Sequence, residues 1–219
     1  TAAVTCNSLT DYKSGTVGKP LHGVEIKIAA DGEILVKGPL VFKGYYQNPE
    51  ATAEILEADG WFHTGDIGMF DSDGHLKITD RKKDIIVTAG GKNVAPQNIE
   101  NLIKTDPLIS QVVVHGDKRK FLSALITLDK PELMNFAKQN KIEFNDYDDL
   151  VKNEAVYQLI KNRLDEKNKQ LAKYETIKKF AILANDFSVE TGELTPTLKV
   201  KRKFTSEKYK AILDAFYTE

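Results

Sequence analysis

GWFHTGDIGMFDSDGHLKITDRKKDIIVTAGGKNVAP, residues Gly60 to Pro96, is the stretch on which the reading of the fold turns. It holds an acid beside a glycine (Asp66), a tight turn at Asp71-Ser72-Asp73-Gly74 and a charged run from Asp80 to Asp84. A Gly90-Gly91 step and a helix start at Pro96 complete it. Ile67 to Phe70 and His75 to Thr79 pair as a hairpin around the turn, and Ile85 to Thr88 is a short strand beyond the charged run. Chemistry on one side of a segment with no hydrophobic pattern points to a ligand site lying against a joint. DSDG resembles the opening of a calcium loop, but the later acidic ligands at that loop's spacing are missing, so it reads as a turn and no metal site is expected.

Upstream, residues 1–59 read as short strands and turns. Gly23 to Ala29 alternates apolar and polar residues, Gly32 to Lys37 does so less cleanly, and Asp31-Gly32 between them signals a hairpin. Asn48-Pro49 opens a short helix through Thr52 to Leu56. Downstream, Pro96 starts a helix with Ile99, Leu102 and Ile103 on one face. Gln111 to His115 and Phe121 to Leu128 are β-branched-rich strands joined at Gly116-Asp117, and Pro131 opens a helix to Asn140. A long helix is expected from Asp148 to Lys173, with Val151, Ala155, Val156, Leu159, Ile160 and Leu164 as its stripe. Phe180 to Leu183 is another strand, and a last helix from Ser206 aligns Tyr209, Ile212, Leu213 and Phe216. The expected class is α+β: a small β-rich subdomain over 1–79, a joint at 80–84 and a compact α+β domain over 85–219.

With 219 residues, 41% hydrophobic and 29% charged, the chain has the make-up of an ordinary globular protein of one or two domains. No apolar run approaches the ~18 residues that span a bilayer, and no signal-peptide pattern opens it. The single cysteine, Cys6, excludes an intramolecular disulfide, so the expected compartment is cytoplasmic, with peripheral membrane contact left open. Residues 1–79 carry 6 Lys/Arg against 11 Asp/Glu and residues 80–219 carry 25 against 21, so the second part is mildly basic. The chain opens on Thr1 rather than Met, from which a piece of a longer protein is expected.

Four places carry residues of chemical interest. Asp66 follows Thr64-Gly65 just before a strand; a carboxylate there can accept both hydroxyls of a ribose diol or simply close a turn. Arg81 can fork onto phosphate or hydroxyl oxygens, or belong to a solvated charged linker with Lys83. Gly90 and Gly91 lack Cβ atoms and suit either a narrow channel wall or a turn, and Lys92 beside them can meet a phosphate. Lys199, on the loop Thr195-Pro196-Thr197-Leu198-Lys199, can set a point charge against a carboxylate and a phosphate together. It also opens the basic run Lys199 to Lys203, a solvated face or a weak nucleic-acid patch in the plainer reading. No aromatic residues are interleaved in that run to stack on bases, which argues against nucleic acid. The four histidines lack metal-ligand spacing, and neither a Walker motif nor GxGxxG is present.

In order, the chain contains Gly-Glu-Ile-Leu-Val-Lys-Gly from Gly32, Lys-Gly-Tyr-Tyr from Lys43 and Trp-Phe-His-Thr-Gly-Asp from Trp61. These are followed by Thr-Asp-Arg-Lys-Lys-Asp-Ile-Ile, Gly-Gly-Lys-Asn-Val-Ala-Pro-Gln-Asn-Ile-Glu and Leu-Thr-Pro-Thr-Leu-Lys. The series resembles the acyl-adenylate-forming, AMP-binding superfamily along essentially the whole chain. Tyr174-Glu-Thr-Ile-Lys-Lys-Phe and Leu-Thr-Pro-Thr-Leu-Lys look most like its long-chain fatty acid CoA ligase branch.

The resemblance implies the C-terminal portion of an ATP-dependent acid–thiol ligase that joins a fatty acid to CoA through acyl-AMP. It implies that Asp66 holds the ribose hydroxyls with Arg81 assisting, and that Lys83 is the hinge. It also makes Gly90 and Gly91 the lining of the CoA channel, Lys92 a nearby nucleotide contact and Lys199 the catalytic lysine. The phosphate loop, the acyl pocket and the ligands of the Mg2+ that accompanies ATP are expected in an N-terminal portion of the same enzyme, without which this piece is expected to be inactive. The family usually has Gly before the catalytic lysine, where Leu198 stands here. An aryl or medium-chain acid ligase of the same superfamily, and a non-catalytic interaction domain using the basic run, are the alternatives.

Overall fold

The computed structural model describes residues 1–218, and the chain divides into two units, Thr1–Asp84 and Ile85–Glu219. In the first, β1 (Thr5–Cys6) pairs with β2 (Lys19–Pro20), two short strands without an alternating signal. The main sheet is antiparallel and runs β3 (Glu25–Ile28), β4 (Glu33–Lys37), β5 (Phe62–Phe70), β6 (Leu76–Arg81) in spatial order. The turn at Asp31-Gly32 closes as expected: Asp31 accepts the Glu33 N–H, and Gly32 takes the left-handed φ of +86° that its Cβ-free backbone permits. Helix α1 (Pro49–Ile55) starts under an Asn48 cap that accepts the Ala51 N–H. The core is small: Val24, Ile34, Val36 and Leu76, with partly buried Phe62 and Phe70 against it.

Strand β5 is longer than its alternation suggested. It begins at Phe62, so Thr64-Gly65-Asp66 lies inside the strand and not before it. Pairing passes from Leu35↔His63 to Glu33↔Ile67, so three residues of β5 stand opposite Ile34 alone and the triplet bulges. A bulge breaks the period-2 pattern, which is why the sequence shows only the half from Ile67 onward. In the acidic turn, Lys13 reaches Asp71 at 2.7 Å and Asp73 at 2.6 Å, and Asp71 accepts the N–H groups of Asp73 and His75. The Lys13 ammonium bridges both carboxylates of this turn and holds the Asp71 carboxyl at about 2. The first unit ends in a single 3-10 turn, Lys82–Asp84.

In the second unit a two-stranded ribbon, β7 (Ile86–Val87) with β8 (Asn93–Val94), precedes α2 (Pro96–Ile103). A three-stranded sheet follows, ordered β11-β10-β9, from β9 (Ile109–His115), β10 (Leu122–Leu128) and β11 (Ile177–Ile182). β9 and β10 are antiparallel; β11 returns parallel to β10 after α3 (Lys130–Gln139), α4 (Tyr147–Lys152) and α5 (Glu154–Asn168). All seven residues of β10 are buried, because both faces of the sheet are covered. Ala124 and Ile126 face the main core with Ile99, Leu133 and Ile160, whereas Leu125 faces Leu183, Phe187 and Leu213. Helices α6 (Arg202–Lys208) and α7 (Lys210–Ala215) close that second face.

Two expected helices are broken. The one over 148–173 is α4 and α5, divided at Asn153, whose extended backbone ends the first while its side chain caps the second through the Ala155 N–H. Capping asparagines favour this over continuation; of the expected stripe, Val151 is buried in α4 and Val156, Ile160 and Leu164 in α5, whereas Leu159 is only partly buried and Ala155 is exposed. The last helix starts at Arg202 and breaks at Tyr209, so Leu213 is buried while Ile212 stays 37% exposed. Among the described residues, no helix is long and apolar enough to cross a membrane.

Candidate functional site

Asp66 and Arg81 face one another in register across β5 and β6, and the Arg81 Nε lies 2.7 Å from the Asp66 carboxylate. The acid is partly buried and the guanidinium mostly exposed. Arg81 meets Asp66 through Nε, which leaves its two terminal NH2 groups as donors, and Asp66 has a second oxygen as an acceptor, for a ligand bearing hydroxyls. Residues that were separate in the sequence thus form one group. Lys83 sits two residues on, exposed, in the 3-10 turn.

Behind this pair is a network that sequence reading did not single out. Glu33, 3% exposed, accepts His63 at 2.9 Å, Lys82 at 2.8 Å and the Gly65 N–H at 3.0 Å. Burial pushes its carboxyl up, but the three donors outweigh burial and hold it below its ordinary range. His63 is raised by its bond to Glu33, with Glu57 on its other nitrogen at 2.8 Å. The available signal was the flawed alternation of Gly32 to Lys37: a glutamate stands where the strand should carry a buried apolar residue.

Gly90 and Gly91 form the tip of the β7–β8 ribbon. Gly91 has φ +72° and donates its N–H to the Thr88 carbonyl, and a Cβ built there would meet nothing within 4 Å. Its backbone therefore needs glycine while the space over it is open, as an approaching ligand requires. Lys92 follows, with its ammonium 6.0 Å from the Tyr174 ring centre.

Lys199 is exposed on a loop of the second unit that is held by its own backbone. The Thr195 N–H reaches the Lys199 carbonyl at 2.8 Å, and the Lys199 N–H reaches the Thr195 hydroxyl at 3.0 Å. Leu194 and Val200 bridge at its base. Leu198, before the lysine, takes φ +59°, the left-handed conformation that favours glycine, and its side chain is 68% exposed. Glycine would adopt this conformation without strain. Leu198→Gly is expected to stabilise the fold by about 1 kcal/mol or less, the backbone strain relieved minus the added freedom of glycine in the unfolded chain. Urea unfolding measures it, and a lower midpoint in the variant would count against strain at this position.

Two buried acids anchor the flanks of this loop. Glu193, 1% exposed, takes Lys208 at 2.6 Å and Tyr209 at 3.0 Å; burial opposes its charge, but these donors hold it at about 2. Glu100 of α2 takes both terminal nitrogens of Arg202, at 2.7 and 2.8 Å, together with the Val114 N–H.

A β-rich unit followed by an α+β unit is a fold that this chain shares with part of solved adenylation domains. The family described as AMP-binding enzyme C-terminal domain matches residues 83–219, and the chain belongs to that family. It is 46% identical over 217 residues to the long-chain-fatty-acid–CoA ligase FadD15 of Mycobacterium tuberculosis, covering 99% of this chain and 36% of that protein. It is 40% identical over 232 residues to the long-chain-fatty-acid–CoA ligase ACSBG1 of Bos taurus, covering 95% of this chain and 32% of that protein. Among solved structures, the A domain of carboxylic acid reductase from Segniliparus rugosus, in complex with AMP and a co-purified carboxylic acid, superimposes with a TM-score of 0.73 at 25% identity. That match covers 92% of this chain and 32% of that one. The chain thus spans about a third of the length of the relatives it matches.

Proposed function

We propose that the chain is the C-terminal part of a long-chain fatty acid CoA ligase. ATP and a fatty acid give acyl-AMP and pyrophosphate, and the CoA thiol then attacks the acyl carbonyl and releases AMP. The observation that carries this reading is the 46% identity to a ligase of that kind over 99% of the chain. The Asp66–Arg81 pair supports a ribose-binding role, since a carboxylate and a guanidinium together match a diol and its neighbouring oxygens. Lys83, in the turn that ends the first unit, is proposed as the hinge. Gly91, with Gly90 beside it, is proposed to line the CoA channel and Lys92 to contact the nucleotide. Lys199 is proposed as the catalytic lysine, placing its ammonium against the attacking carboxylate and the α-phosphate, where negative charge concentrates. One site must present a lysine in the first step and a glycine-walled channel in the second, which gives the hinge its purpose. The setting proposed is the cytoplasm, with any membrane contact peripheral, and the preceding portion of the same enzyme supplying the Mg2+ ligands and acyl pocket.

Product analysis tests this. The full-length protein carrying this chain should convert a long-chain fatty acid, ATP and CoA to acyl-CoA, AMP and pyrophosphate, and turnover of aryl acids alone would overturn the reading. The 219-residue chain by itself should not exchange pyrophosphate into ATP; exchange at the full-length rate would show that the ATP site needs nothing more.

A further inference from the structure

Strand β4 reads Glu-Ile-Leu-Val-Lys, and its first four residues are all buried. A carboxylate in such a strand is costly unless its oxygens are fully used. Those of Glu33 are: Oε1 accepts the Gly65 N–H, and Oε2 accepts both His63 Nδ1 and Lys82 Nζ. The peptide it holds belongs to the bulge that carries Asp66. Gly65 has φ +70°, and a Cβ there would meet nothing within 4 Å, so no side-chain packing fixes this residue. The triplet is tied instead by Thr64, which donates to the Ile34 carbonyl at 2.7 Å and accepts the Asp66 N–H at 3.1 Å, and by Glu33.

We propose that Glu33 is a positioning residue for the ribose site: by holding the Gly65 N–H it fixes the bulge from which Asp66 presents its carboxylate. This rests on the reading of Asp66 as the ribose ligand. It also explains why the acid must be a glutamate. Three donors converge on it, and two carboxylate oxygens serve them all, whereas an amide offers one acceptor oxygen and turns its NH2 group against the donors that remain. A shorter acid keeps the charge but withdraws it by one carbon–carbon bond, about 1.5 Å.

The test is the preference of the full-length ligase for ATP over 2′-deoxy-ATP, taken as the ratio of the two kcat/KM values. A substitution that merely lowers the amount of folded enzyme reduces both values together and leaves the ratio alone. Glu33→Gln is expected to lower the ratio about tenfold, the factor that one hydrogen bond to a charged group carries, and Glu33→Asp is expected to lower it as well. An unchanged ratio in both variants overturns the positioning role. Asp66→Ala separates the two levels of inference. If it collapses the ratio while the Glu33 variants do not, only the role of Glu33 fails. If Asp66→Ala itself leaves the ratio unchanged, the ribose reading fails and the role of Glu33 with it.

Discussion

Lys199→Ala in the full-length ligase is expected to reduce ATP–pyrophosphate exchange by about 10²–10³-fold, the cost of removing one charge-stabilising donor from a reacting centre. Thioester formation from supplied acyl-AMP should survive, because in the proposed mechanism the lysine serves only the step in which a carboxylate approaches the phosphate. The loop supports a specific effect. Lys199 is exposed and its backbone is held through Thr195, so removing the side chain takes away charge without taking away packing. Measuring the two half-reactions separately checks the assignment, and an equal fall in both would remove Lys199 from its place in the first step.

The second large effect concerns stability. Arg202→Ala should destabilise the second unit by about 3 kcal/mol, since taking one partner from a buried pair leaves the other charge poorly compensated. Glu100 and Arg202 are 11% and 22% exposed at their side chains, and the arginine also donates to the Val114 carbonyl. One guanidinium therefore ties α2, β9 and the start of α6, three residues beyond Lys199. For a unit of this size the loss corresponds to roughly 10 °C in Tm. Arg202→Lys should recover only part of it, because an ammonium cannot reproduce the two-pronged contact. Thermal unfolding of the full-length variants decides the point, and a change below about 1 kcal/mol in Arg202→Ala would mean that the pair is not structural.

The elements legible in the sequence were those whose pattern is local. The Asp31-Gly32 turn, the Asn48 cap, the helix at Pro96 and the strands on either side of Gly116 are each specified by residues a few positions apart. Periodicity misleads where a single residue contradicts its neighbours. Asn153 divides a helix whose apolar stripe otherwise runs on, and the Thr64–Asp66 bulge hides the first half of β5. Asp66, Arg81, Lys83, Gly90, Gly91, Lys92 and Lys199 are candidates by residue type and order alone, and the fold brings two of them, Asp66 and Arg81, together as an ion pair. Leu198 was visible as a departure, but not its left-handed φ.

The sequence alone determined the α+β class, the order of the motifs and the kind of enzyme they resemble, because turn chemistry and hydrophobic period are written over short stretches. Tertiary structure decided which partners the charged groups meet. Asp66 and Arg81, Glu33 and Gly65, Glu100 and Arg202 lie 15, 32 and 102 positions apart, and only strand register and the packing of α6 against α2 and β9 bring them together. Of these, Glu33 depends on the fold most completely. In the sequence it is a polar residue out of pattern, and in the folded chain burial obliges its oxygens to find donors, which are the amide of the Asp66 bulge and two side chains beside it.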